Sequence, residues 1–162
     1  MTSYRDKIRT LEETKTVCQR LKEEGKQIVL TNGCFDILHP GHTRYLASAR
    51  TLGDFLMVAV NSDRSAAQIK GPKRPILSEN VRTEILAAFS FVDSVFIFDE
   101  DNPLRVIEYL IPDILVKGGD WEESEIIGAG VVKANGGKVI RIPFEGGFST
   151  TAIIEKIIQH YA

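Results

Sequence analysis

Two of the three histidines in this 162-residue chain, His39 and His42, stand three residues apart around Pro40-Gly41, directly after an apolar run. Proline is tolerated only at the very start of a helix, so His39-Pro40 marks where one begins. Both imidazoles then lie close to the first turn, where free amides and the helix dipole favour an anion. Imidazoles donate hydrogen bonds to phosphate oxygens, more strongly when protonated. Three readings of the pair compete: a turn with internally satisfied histidines, a metal-ligand pair, and a phosphate site. A metal needs further ligands, and only Cys34 and Asp36 are near in sequence, with His160 at the far end. Gly33 and Gly41 flank the stretch and allow a close approach that a Cβ would block.

Other residues offer matching chemistry. Lys70 opens "KGPKR" (70–74), where Gly-Pro suits a loop and the lysine suits a mobile cation for phosphate; the alternative is a solvated loop lysine. Arg74 is a second charge in the same stretch. Ser149, Thr150 and Thr151 begin the last helical pattern, where hydroxyls and amides together make an oxyanion site or simply cap the helix. Gly118-Gly119-Asp120 admits a nucleotide backbone closely, with Asp120 accepting from ribose hydroxyls.

These residues must be brought together by the elements around them. The pattern predicts an N-terminal helix over 4–24 closed by Gly25, then strands at 27–32, 55–61, 94–98, 113–119 and 138–143. Helices are expected after His42, after Ser78, after Asn102-Pro103, across 125–137, and from 150 to 161, with a polar connection from 62 to about 77. The strands are short, rich in Val and Ile, and apolar on both faces, and they alternate with helices. That predicts a single α/β domain: a Rossmann-like, open, parallel five-stranded sheet covered by helices on both faces, with residues 1–25 as an N-terminal helix and 26–162 as the core. In such sheets ligands bind outside the carboxyl ends of the strands. The histidines, Asn61 and Asp63, the Gly118 turn, and Ser149 to Thr151 each follow a strand end, so one site can collect them.

Composition narrows the function classes. The net charge of −2 gives no bulk attraction to nucleic acid or anionic lipid. Cys18 and Cys34 have no disulfide-framework spacing, and the charged first residues lack the apolar stretch of a secretory signal. No segment reaches the ~20 apolar residues of a membrane span. A cytoplasmic protein with no nucleic-acid or membrane partner is expected.

"GCFDILHPGH" (33–42) resembles the G-x-F-D-x-x-H-x-G-H motif of the cytidylyltransferase-like nucleotidyltransferases, and "FSTT" (148–151) resembles their second box before the last helix. Together with "VNSD", "KGPKRPI", "VDSVFIFDEDNP", "PDILVKGGDW" and "STTAIIEKI", the chain is similar to the heptose 1-phosphate adenylyltransferase branch over nearly its whole length. The resemblance implies AMP transfer from ATP to a sugar 1-phosphate, with Mg²⁺ carried by ATP, no protein-bound metal, and a homodimer. It implies His39, His42 and Lys70 as catalytic residues. Thr31, Asn32, Gly33, Phe35, Gly41, Lys117, Gly118, Asp120, Ser149, Thr150 and Thr151 are implied at the nucleotide. Asp36, Asn61, Asp63 and Arg82 are implied at the acceptor. For Asp36, orienting the turn is an equal alternative to contacting sugar hydroxyls, and for Arg82 the alternative is a solvated surface arginine. Trp121 either stacks on a ligand or packs. CTP-using relatives often carry Arg-Thr-Glu-Gly ahead of the second box, where this chain has "FEGG" (144–147), a departure that favours ATP.

Overall fold

The computed structural model describes residues 3–119, 122–143 and 147–161. Five parallel strands, β1 (Ile28–Gly33), β2 (Phe55–Asn61), β3 (Ser94–Phe98), β4 (Ile114–Gly118) and β5 (Lys138–Ile142), form one sheet in the order β3-β2-β1-β4-β5. Alternate residues feed two cores: Ile28, Leu30 and Met57 face one side, Val29, Leu56 and Val58 the other. The first core is closed by α1 (Leu11–Glu23), α5 (Leu104–Leu110) and α6 (Ala129–Ala134), the second by α2 (Pro40–Arg50) and α4 (Glu79–Ala87). This is the expected Rossmann-like architecture. Among the described residues no helix is long and apolar enough to cross a membrane.

One device recurs at the amino edge of the sheet. Asp54, Asp93 and Asp113 each stand immediately before a strand, and each carboxylate accepts from an amide at the start of the neighbouring one. Gln27 N donates to Asp54, Leu56 N to Asp93 and Ile28 N to Asp113, all at 2.8 Å. These bonds satisfy amides that the ladder leaves over and fix the stagger of β1, β2, β3 and β4. With the stagger fixed, the carboxyl ends of β1 and β4 come level. The chain runs outward from β1 to β3 and then crosses back to β4, so a crevice opens between these two ends.

Two expectations are corrected. The N-terminal helix does not run from residue 4. A Thr10–Glu13 capping box starts α1 at Leu11, while Tyr4–Lys7 is a separate 3₁₀ turn and Ile8 bridges to Val95 on the β3 edge. The connection after β2 contains a helix, α3 (Asp63–Lys70), capped by the Ser62 hydroxyl and packed through Ser65 and Ala66. Its two buried residues are small, which is why no apolar stripe marked it.

Candidate active site

A cleft of about 500 Å³ lies at the β1/β4 crevice. Its wall includes Asn32, Gly33, Phe35 and Asp36 after β1, His39 and His42 at the start of α2, Lys117 and Gly118 at the end of β4, and Ser149, Thr150 and Thr151 at the start of α7 (Thr150–Tyr161). Lys70 and Arg74 reach it from the end of α3 and the loop beyond. The amino ends of two helices, of 11 and 12 residues, therefore open onto the same space.

His39 is the N-cap residue of α2 with Pro40 following it, and its side chain makes no capping bond. The imidazole rings of His39 and His42 stack at 3.8 Å between centroids and 24° between planes. Both Nδ1 atoms are buried without a hydrogen-bond partner among the described residues. Burial disfavours the charged ring, and His39 adds repulsion, so the His42 pKa is pushed down to about 4; burial also lowers that of His39. Unliganded, the pair is neutral at pH 7, and an anion between the rings and the helix amides would raise both values.

The glycines prove to make room for the protein's own rings. A Cβ on Gly41 would sit 3.0 Å from the His39 ring, and one on Gly33 would sit 3.0 Å from the Phe35 ring. Phe35 holds a left-handed backbone at φ 47° and is only 6% exposed, with its ring edge-on to His42 at 5.5 Å. Non-glycine residues in that region carry strain on the order of 1–3 kcal/mol, sustained here by the burial of the ring.

Asp36 is buried and its carboxylate is fully used. The amides of Ile76 and Leu77 donate to it at 2.9 Å, and Arg74 Nε donates at 2.6 Å. Burial alone would raise its pKa, but the Leu77 and Ile76 amides and the Arg74 guanidinium together outweigh that and hold it below the usual carboxylate range. Asp36 thus orients the turn, fastening the 71–77 loop to it, and is not free for sugar hydroxyls. Arg82 is neither at the cleft nor at the surface. It is completely buried and donates to Cys34 O at 2.5 Å, Leu77 O at 3.0 Å and Asp63 Oδ1 at 2.8 Å. Asp63 is accordingly its ion-pair partner.

Asn61 is also inside, donating to Ser65 Oγ at 2.8 Å, and the Thr31 hydroxyl pairs with the Tyr45 hydroxyl at 2.6 Å. These four side chains build the frame around the cleft; Thr31, Asn61, Asp63 and Arg82 do not line it. Asp120 and Trp121 lie outside the described residues.

Among the described lining residues, the charged side chains that remain are Lys70 and Lys117. Lys70 is exposed at the last residue of α3. Lys117 is half-buried with its pKa lowered by that burial, and among the described residues it has no carboxylate partner. Asp36, the carboxylate among the lining residues, is already committed. Ser149 Oγ accepts from Ala152 N at 3.0 Å as the cap of α7, and Thr150 Oγ1 donates to Ile37 O at 3.2 Å, tying α7 to the histidine turn. Thr151 is left exposed at the cleft. Cys34, Tyr45 and Phe148 also line it. Cys34 and Phe148 sit inside the two quoted motifs, whereas Tyr45 carried no signal beyond its place one turn after His42. Among the described residues no group of three or more His, Cys, Asp or Glu is arranged to hold a metal ion.

The cytidylyltransferase-like family matches residues 30–156, which include both histidines and the Ser149–Thr151 box. The chain belongs to the cytidylyltransferase-like family. It is a nucleotidyltransferase domain, and the two motifs meet at the cleft, joined by the Thr150–Ile37 bond. Among its relatives, the bifunctional protein HldE of Syntrophotalea carbinolica is 49% identical over 98% of this chain. The bifunctional protein HldE of Haemophilus ducreyi is 52% identical over 93% of it. The chain spans about a third (32%) of the length of each. A solved lipopolysaccharide core biosynthesis protein from Thermoplasma volcanium is 32% identical, with a TM-score of 0.63, covering 76% of this chain and 100% of that one. Pantoate-beta-alanine ligase from Francisella tularensis shares the fold alone, at 14% identity and a TM-score of 0.61, covering 94% of this chain and 77% of that one.

Proposed function

We propose that the chain transfers AMP from Mg–ATP to D-glycero-β-D-manno-heptose 1-phosphate, giving ADP-heptose and pyrophosphate for the lipopolysaccharide core. The observation that carries this reading is the meeting of His39 and His42, Lys70, Lys117 and two helix amino ends in one cleft, where among the described residues the lining carboxylate, Asp36, is engaged by Arg74. Such a site is suited to a chain of phosphates. The choice of acceptor rests on the resemblance to the heptose branch, supported by the likeness to HldE proteins over nearly the whole chain.

In this reading a phosphate oxygen of the sugar 1-phosphate attacks the α-phosphorus of ATP. The new P–O bond forms as the bond from the α-phosphorus to the α,β-bridging oxygen breaks, and its electron pair leaves with pyrophosphate. The acceptor is already an anion, so no general base is needed, and the protein's work is positioning and charge stabilisation. His39 and His42 donate to the oxygens of the departing pyrophosphate, where charge grows in the transition state. Lys117 holds a fixed position against the nucleotide phosphates, and Lys70, on its exposed stem, follows the incoming phosphate. Mg²⁺ enters with the triphosphate as part of the substrate, since among the described residues the one lining carboxylate is engaged. The reaction belongs in the cytoplasm with its ATP, and the active form is a homodimer, for which light scattering should give twice the chain mass.

Pyrophosphate release measured with ATP, CTP, GTP and UTP, each with heptose 1-phosphate or glycerol 3-phosphate, tests the assignment. ATP with heptose 1-phosphate should exceed CTP at least tenfold in kcat/KM, a difference of about 1.4 kcal/mol. Equal or faster turnover of CTP, or turnover with glycerol 3-phosphate alone, would refute it.

A further inference from the structure

A functional histidine is ordinarily oriented by a hydrogen bond to the ring nitrogen that does not meet the substrate. Here that device is missing on both rings, since Nδ1 of His39 and Nδ1 of His42 are buried and unpartnered among the described residues. What holds the rings is ring contact. Phe35 stands edge-on to His42 at 5.5 Å, His42 stacks on His39 at 3.8 Å, and Phe148 lies nearly parallel to His39, at 18° and 6.4 Å. Arg44 sits over the Phe148 ring at 5.6 Å. One end of this column, Phe35, is buried, whereas Phe148 at the other end is 45% exposed and belongs to a different part of the chain.

We infer that Phe148 is a positioning residue that holds His39, and through it His42, in the orientation needed at the phosphates, using ring contact where other sites use a hydrogen bond. Phe148 is itself placed from two sides. Its neighbours Ser149 and Thr150 are fixed by the α7 cap and by the bond to Ile37 O. Its Cβ lies against the first turn of α2, 3.6 Å from where a Cβ on Gly41 would stand. The second motif therefore completes the first by contact, beyond adding hydroxyls of its own. The inference deepens the proposed adenylyl transfer and rests on it for its kinetic half.

The test compares Phe148→Leu, which keeps apolar bulk, with Phe148→Tyr, which keeps the ring; exposure at this position means neither should unfold the protein. Phe148→Leu should lower kcat on the order of tenfold with KM for ATP within about twofold, and Phe148→Tyr should restore kcat. In the unliganded protein the imidazole resonances of His39 should move in Phe148→Leu, while those of the remote, exposed His160 stay in place. Unchanged kcat, equal losses in the Leu and Tyr variants, a KM effect with kcat intact, or unmoved His39 resonances would each overturn the inference. The spectroscopic arm needs no substrate. A wild-type protein that released no pyrophosphate would refute the proposed reaction and leave the positioning role to be decided by the resonances.

Discussion

The neutrality of His42 in the unliganded cleft has consequences for stability as well as catalysis. Its pKa is about 4 in the folded chain against a usual 6.5, so below pH 6.5 the unfolded chain binds the extra proton first. Stability from this source is therefore full above pH 6.5, falls with pH, and is gone below about 4. At about 1.4 kcal/mol per unit the loss by pH 5 is about 2 kcal/mol. His39, lowered in the same direction, adds to it. Urea midpoints for wild type should drop between pH 7 and 5, and His42→Asn should flatten that drop; a parallel drop in the variant would place the titration elsewhere. If the ring's hydrogen bonds strengthen as pyrophosphate departs, His42→Ala should cost on the order of 10²-fold in kcat with ATP binding changed less. Gly41→Ala is the subtler probe. Its new methyl would sit 3.0 Å from the His39 ring, so it should depress kcat without touching substrate.

Between residue and fold, Arg82 ties the site's loops together. Removing it strips donors from the Cys34 and Leu77 carbonyls and leaves Asp63 without its cation. Arg82→Ala should destabilise by about 3 kcal/mol in urea unfolding, and Arg82→Lys should recover only part, because an ammonium cannot span the three acceptors. A loss under about 1 kcal/mol in the alanine variant would show the brace to be dispensable. The contrast between Arg82 and His39 explains what the sequence could reveal. The strands and the His-Pro-Gly-His turn were legible because their signals are local: β-branched runs, a proline at a helix start, glycines beside bulky rings. Arg82 was not, because a buried arginine and a solvated one look alike until the loops that supply its acceptors are folded around it. Asp36 was open between two roles for the same reason. Helix α3 and the Thr10 capping box escaped differently, the first through its small buried residues and the second through a polar signal set inside a longer helical pattern.

At the scale of the molecule, a chain of net charge −2 brings Lys70 and Lys117 to one crevice beside the two histidines, and the sheet's topology is what puts them there. The crossing from β3 back to β4 opens the gap, the aspartates at the amino edge set the strand stagger, and both motifs then arrive at the opposite edge. A metal centre would organise the same histidines differently, since a nitrogen lone pair given to zinc cannot also serve a phosphate. Dialysed protein should contain no stoichiometric zinc and should require added Mg²⁺ for turnover. One tightly bound zinc per chain, lost in His39 or His42 variants, would replace the phosphate reading. The most direct measurement follows the phosphorus itself. With heptose 1-phosphate as acceptor, label in the α-phosphate of ATP should appear in the sugar nucleotide, and label in the γ-phosphate should appear only in pyrophosphate. Transfer of the γ-label to the sugar, or release of ADP, would contradict adenylyl transfer at this site.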